Sequence, residues 1–472
     1  MNRSLLLLVV WIFSTSLYSQ VKTYETLTWQ DIESQIYRHE TVQQALIVKN
    51  VKAAQYATEA GWKGLKINVN PSLQYSDPEG TLAYTQSAVG AELSFPLGIT
   101  QEEKEKKIQA FEALDLSDKE LRASYGQAYL ELFSLFTSAF LAQESVTVAE
   151  AELELYRLKA SVTRQKVSQG LAPVSDQTDA ESEFQAAAEK LIQTRLDLRL
   201  AWLNLAYAAN LPISRMGMMG GQSSSGDPVG SVPRFEGLDV SAFLKEVPQP
   251  GRLMTAAKSN SPIILAQQQK LEKAKRAITY QATTNFDFLP KFTYATPDNS
   301  VSLGFNTQSG SVTLGSSWTL YKNEKLSSGG SQPPDHSFTI FLGISASLSG
   351  EGEKEKQALQ EAALLEEKRL LSLQQSLDLL IRSKYASYLK ARDSVAEAER
   401  MVEAAKSDSE VLQTRSRIGQ ISPEDEAAHR VLMERTTFNL KKARLNLAQA
   451  YLSMIQTANA WDLIGRPLEN KQ

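Results

Sequence analysis

The chain has 472 residues, a formal net charge of -4 and an isoelectric point near 5.7, a balance that speaks against a nucleic-acid partner. It has no cysteine, which removes disulfides, thiolate chemistry, cysteine-bound zinc and the lipid-bearing cysteine of a lipoprotein. Its histidines are His39, His336 and His429, and no HExxH, P-loop, Rossmann glycine pattern or G-x-S-x-G elbow accompanies them, so neither an enzyme nor a bound metal or cofactor is expected.

Residues 1–19 read as a secretory signal. Arg3 supplies the positive start, Leu5 to Phe13 an apolar run too short to span a bilayer, and Ser14, Thr15, Ser16 and Ser19 small residues for cleavage before Gln20. The alternative is an uncleaved anchor. No later 18-residue apolar stretch is apparent, so an exported chain without a transmembrane helix is expected. A first helix is predicted from about Trp29 to Lys63. Leu73/Tyr75 and then Val89, Ala91, Leu93 and Phe95 alternate with polar or small residues, the period of strands.

Residues 101–168 contain no proline and only one glycine, Gly126. Apolar positions step by four and three from Leu121 through Tyr125, Ala128, Leu132, Leu135 and onward to Ala160, a heptad seam. At ~1.5 Å per residue such a helix reaches about 100 Å. Gly170 suits a left-handed C-cap, and Ser175 or Asp176 is expected to cap the return helix 175–210. Gly217 to Gly237 reads as a linker, Asp239 to Val247 as a short helix, and Pro248-Gln249-Pro250 as the entry to a helix over about 251–285.

Further period-two runs follow at Phe292/Tyr294, Val301/Leu303/Phe305, Val312 to Leu320 and Phe338 to Leu348. A second long helix is predicted over 353–418, with Tyr388, Ala391, Val395, Ala398, Val402, Ala405, Ser409 and Leu412 on its seam. Gly419 ends it, Ser422 caps and Pro423 opens the return helix 423–463.

The halves are copies. Glu103-Lys104-Glu105-Lys106 recurs as Glu353-Lys354-Glu355-Lys356, Gly170 as Gly419, Asp176 as Asp425, and Arg195-Leu196-Asp197-Leu198 as Arg444-Leu445-Asn446-Leu447, all at offsets of 249 to 250. The resulting division is 1–19 signal, 20–212 first repeat, 213–250 linker and 251–472 second repeat, with an insertion at 297–336. The fold class is mainly α with membrane β: duplicated long antiparallel helical hairpins plus strands for a barrel shared between protomers. A membrane sheet must close, and one chain offers about four strands, or six if 301–320 forms a hairpin, so several chains are needed.

The ordered set resembles the TolC-like outer-membrane efflux family. The resemblance rests on the two repeats, the Gly-Leu-x-x-x-x-Asp tip at Gly170–Asp176, its counterpart from Gly419 to Asp425, Leu289-Pro290 before a strand, and Ser94-Phe95-Pro96-Leu97 closing one. It implies a homotrimer in the outer membrane, four strands per chain in a 12-stranded barrel, a periplasmic helical tube, and docking on a periplasmic adaptor and an inner-membrane transporter. The implied activity is passive export of small molecules or proteins. The region 297–336 is about 30 residues longer than its first-half counterpart. The resemblance places Asp425 at a narrow entrance; Ala428, Ser416 and Ile421 stand where the family has an acidic, a tyrosine and a basic residue.

Asp425 is expected to line that entrance, to stabilise a helix N-terminus, or both. Asp176 is expected to be a helix-start or salt-bridge residue, with Arg417 its partner. Glu103–Lys106 and Glu353–Lys356 read as solvated first turns, and Tyr75, Tyr84, Phe95, Trp318, Tyr321 and Phe341 as candidates for aromatic girdles. The alternative function is a periplasmic coiled-coil scaffold or adhesin without a pore.

Overall fold

A computed structural model describes residues 26–61, 66–76, 83–96, 101–211, 232–237, 240, 249–281, 286–295, 299–306, 311–322, 337–346, 351–417 and 420–464. The predicted signal at 1–19, most of the linker and, apart from Val240, the short helix expected at Asp239–Val247 lie outside these residues. The chain divides into two compact units. One draws on residues up to Leu46, Leu121–Ser261 and Ser376 onward; the other on Ile47–Glu120 and Pro262–Gln375.

The first unit is helical. Short strands β1 (Thr26–Leu27) and β4 (Arg234–Phe235) pair in parallel, so the end of the expected linker is tied to the N-terminal segment. Helix α1 (Trp29–Glu33) starts with a capping box, in which Thr28 and Asp31 satisfy each other's amides, and a 3-10 turn at Ile36–Arg38 leads to α2 (Glu40–Ala60). The single helix expected over 29–63 is thus three pieces. Its breaks are held by local bonds that compete with helix continuation, from Ser34 Oγ to the Asp31 carbonyl and between His39 Nδ1 and Thr41 Oγ1. His39, expected on a helix, sits in the second break with extended backbone.

Long helices α3 (Gln101–Ser168) and α4 (Val174–Ala208) form the first hairpin. Helix α5 (Pro250–Asn260) follows and stops at Ser261, whose backbone is extended because Pro262 disfavours the helical region for its predecessor. That proline divides the helix expected at 251–285 into α5 and α6 (Pro262–Gln281). Helices α7 (Glu351–Arg417) and α8 (Pro423–Ala458) form the second hairpin. Both return helices end on asparagine at positive φ, Asn210 at 51° and Asn459 at 45°, the same position in the two repeats.

The α3 seam is only part of what α3 buries. Ala128, Leu132 and Ala139 are enclosed as the heptad predicts, but so are Tyr129, Phe133, Phe136 and Phe140 on an adjacent face. Trp29 meets three of these rings edge-on at 5.2–5.8 Å. This two-sided burial gives α3 a stretch long and apolar enough to cross a membrane by length and composition, contrary to expectation. Its aromatic rings are instead buried in the protein core.

Among the described residues the second unit carries one antiparallel sheet of six strands. They are β2 (Lys66–Ser76), β3 (Ala83–Pro96), β5 (Phe286–Ala295), β6 (Asn299–Asn306), β7 (Ser311–Lys322) and β8 (Ser337–Ala346), ordered β2-β3-β7-β6-β5-β8. The four strands per chain that the family resemblance implies are therefore too few. Strands β6 and β7, from the 297–336 insertion, pair in a hairpin and join the sheet between the other two hairpins. In this unit Arg276 of α6 binds Glu105 (3.0 Å) and Glu112 (2.8 Å) of α3. The Glu112 carboxylate, more than offsetting burial, and then Glu105 hold the guanidinium in its charged form. Glu105 is mostly buried, so the first Glu-Lys-Glu-Lys run is not wholly the solvated turn expected; Lys354, Glu355 and Lys356 of the second are exposed.

Candidate functional site

Side chains alternate across a sheet, and directly paired residues share a face. One row of register partners runs Ile67, Leu93, Leu314, Leu303, Phe292, Ile340, one residue from every strand and all apolar. The next row on that face passes through Val69, Ala91, Ser316, Val301 and Tyr294. The row between them lies on the opposite face and reads Asn68, Glu92, Gly315, Ser302, Thr293. Among the described residues nothing covers the apolar face: Ile67 is 62 % exposed, Val69 59 %, Ile340 53 % and Trp318 47 %. Phe341, a girdle candidate, is exposed but shares the polar face with its partner Lys291. Trp318 lies on the apolar face with Val89. The side chains of the other four girdle candidates lie outside the described residues. An apolar patch of this extent marks contact with lipid or with another protein. The end strands β2 and β8 each pair on one side only among the described residues.

The hairpin tips belong to the helical unit. Gly170 ends α3 at φ +71°, and the Leu171 amide donates back to the Lys166 carbonyl at 2.8 Å. Among the described residues nothing lies within 4 Å of where a Cβ on Gly170 would stand, so the backbone angle is what calls for glycine there. Helix α4 starts at Val174 with Pro173 as its N-cap and no side-chain cap. Ser175 and Asp176 therefore fall inside the first turn, two and three residues past the N-cap, because Pro173 already supplies the extended residue. Asp176 is exposed, and its carboxylate accepts a long bond from Ser175 Oγ at 3.4 Å.

At the second tip Ser422 caps α8 as expected. Its hydroxyl accepts from the Asp425 amide at 3.1 Å and donates to the Asp425 carboxylate at 2.7 Å. Asp425 thus has the helix-start position expected of it. Arg417 ends α7, but its side chain and all of Gly419 lie outside the described residues, so the expected Asp176–Arg417 pair is neither seen nor contradicted. Ser416 and Ile421 line one groove with Leu158, Leu412, His429 and Met433. Among the described residues no three acidic or imidazole groups are placed to hold a metal ion.

Above the tips, ion pairs clamp the helices, and two are copies of one another. Arg195 binds Glu150 at 3.1 Å and Arg444 binds Glu399 at 2.9 Å, both 45 residues apart and both opening the duplicated Arg-Leu motif. In the sequence those arginines mark only the duplication; that each holds a carboxylate 45 residues earlier is seen in the structure. Glu152 was also missed. Its side chain is only 5 % exposed and holds Lys190 of α4 at 2.6 Å and Arg435 of α8 by two bonds, joining the two hairpins within the unit. Burial pushes this carboxyl up, but the bonds from Lys190 and Arg435 outweigh it and leave its pKa below the ordinary value near 4.5.

Glu152→Gln is expected to cost about 1–2 kcal/mol at neutral pH, because the two cations, each more than half exposed, recover hydration when the pair is lost. The lowered folded pKa makes this contribution complete above the ordinary carboxylate value and loses it as pH falls through the folded value. Thermal melts followed by helical circular dichroism should therefore separate the two proteins at pH 7 and bring them together under acid.

No protein-family model and no curated protein sequence matches the chain. Solved structures do. The open state of the Neisseria gonorrhoeae MtrE outer membrane channel matches with a TM-score of 0.59 at 14 % identity, covering 93 % of each chain. The Campylobacter jejuni CmeC outer membrane channel matches at 0.57 and 12 %, over 91 % of this chain and 84 % of that one. CusC matches at 0.57 and 15 %, over 93 % and 96 %. The chain has the fold of the TolC-like outer-membrane channels, mainly helical hairpins with a sheet of strands.

Proposed function

We propose that the chain is an outer-membrane exit duct of a tripartite efflux pump or type I secretion system. The observation that carries this reading is the apolar row crossing all six strands on an uncovered face, with a polar row behind it. Lipid leaves no strand edge unsatisfied, so the sheet closes by pairing β8 of one copy with β2 of the next. The family likeness favours three copies. An apolar stripe left exposed on α4, Ile192, Leu196, Leu200 and Tyr207 (86 % exposed), supports contact between copies along the helices too.

In this reading residues 1–19 are removed, 20–212 and 251–472 are the two repeats, and 213–250 joins them. The helical part lies in the periplasm, and the tips around Gly170, Asp176, Arg417, Gly419 and Asp425 form the entrance that meets a periplasmic adaptor and an inner-membrane transporter. Transport is passive and needs no catalytic residue. Three Asp425 carboxylates around the axis would favour cations.

Purified protein in planar bilayers tests the proposal. Discrete conductance steps are expected, from an oligomer that migrates as a trimer until heated, with Asp425→Ala lowering the preference for cations over anions. A water-soluble monomer without conductance would leave a coiled-coil scaffold or adhesin as the function.

A further inference from the structure

From the sheet register we infer that the inserted hairpin β6–β7 is part of the membrane wall. The outlet is then wider than four strands per chain allow, and suits bulky hydrated solutes. The inference rests on the exit-duct reading and says what that duct passes.

Three observations carry it. First, the two-faced pattern runs through the insertion without interruption: Leu303 and Leu314 continue the apolar row, Ser302 and Gly315 the polar one. A surface loop has no reason to keep its apolar residues in register with those of the neighbouring hairpins. Second, the insertion adds two strands, not one or three. Six alternating antiparallel strands leave β2 and β8 antiparallel, so successive copies still join edge to edge in an antiparallel ring. Third, the polar side of this hairpin is packed with small residues, as the concave side of a curved wall requires. A Cβ on Gly315 would fall 2.8 Å from Ser302 Oγ, one on Gly304 2.9 Å from Thr313 Oγ1, and Ser300 and Ser317 share a hydrogen bond of 2.8 Å.

Three copies of a six-stranded sheet make an eighteen-stranded wall. Barrel diameter grows about in proportion to strand number, so the wall is about 1.5 times as wide as one of twelve strands, in the range that leaves an open aqueous channel. The small and polar residues on that face of the inserted hairpin, Ser300, Ser302, Gly304, Thr313, Gly315 and Ser317, leave that width unfilled. The solutes that fit are hydrated and large in cross-section; an apolar cargo would find little to bind on the polar row.

The chain has no cysteine, so single cysteines can be read without background. The full-length protein in outer-membrane vesicles is reacted with a charged, water-soluble maleimide at Ser302→Cys and Leu303→Cys in the insertion, and at Asn68→Cys and Ile67→Cys in the first hairpin. Gly315→Cys is avoided because of its close packing; Ser317→Cys and Leu314→Cys serve as the second pair if one of the first fails to assemble. In each hairpin the polar-face cysteine is expected to react at least about tenfold faster than its apolar-face neighbour, whose thiol lies in lipid and ionises poorly. Equal rates at 302 and 303, with the contrast kept at 67 and 68, overturn the inference and leave the duct standing. Loss of the contrast in both hairpins overturns the duct itself. End-on electron-microscopy averages of the trimer give the width directly: eighteen strands are expected, and twelve would overturn the inference.

Discussion

Phe292→Arg is expected to abolish most assembled oligomer in the outer membrane, while Thr293→Arg next to it is tolerated. Phe292 lies in the middle of the apolar row, between Leu303 and Ile340, and is exposed. An arginine facing lipid near the bilayer midplane costs about 2–4 kcal/mol, and every copy in the ring carries it. Thr293 points the other way, beside Ser302, where a cation meets water. The heat-modifiable oligomer in outer-membrane fractions measures the effect. Equal loss in both variants, or in neither, would mean that the apolar face does not meet lipid.

The second large effect is expected at Gly126, the one glycine in the 68 residues of α3. In an exposed helix, glycine to alanine adds about 1 kcal/mol of stability. Here a Cβ would collide with Gln456 Oε1 and Trp461 Nε1, and it would lie 2.5 Å from Trp461 Cε2. Those two side chains are bonded to each other at 2.8 Å, and Gln456 also donates to the Ala123 carbonyl at 3.0 Å, so neither can easily give way. Gly126→Ala should therefore destabilise, the opposite sign to the propensity, and Gly126→Leu should cost about 3 kcal/mol or more through overpacking. Trp461 is 2 % exposed. A red shift of its fluorescence and a lower melting temperature of the helical signal would report its undocking. A stabilised Gly126→Ala would show that the C-terminal turn does not pack on α3.

The long helices were legible because their signals are local and repeated. Proline-free runs, glycine C-caps and the Ser422-Pro423 start place α3, α4 and α7 within two residues of their observed ends, whereas α8, expected to reach 463, stops at Ala458 where Asn459 turns left-handed. The breaks in the shorter helices were less visible. Pro262 carried the signal for one of them, since it limits the residue before it, but the helix expected at 251–285 ran through it; the turns around Ser34 and His39 depend on side-chain bonds that no periodicity announces. One girdle candidate was already out of step in the sequence: the alternation from Phe338 sets Phe341 on the face opposite Ile340, and its pairing with Lys291 agrees.

What the sequence determined by itself was the duplication, the hairpin pattern, and the presence of strands with one apolar face, because these follow from spacing along the chain. Only the tertiary structure decided that the insertion enters the sheet, that Ile67, Leu93, Leu314, Leu303, Phe292 and Ile340 fall in one row, and that Glu152 binds cations from two other helices. Strand order and ion-pair choice join residues far apart in sequence, and a local pattern leaves many such pairings open until the backbone hydrogen bonds select one.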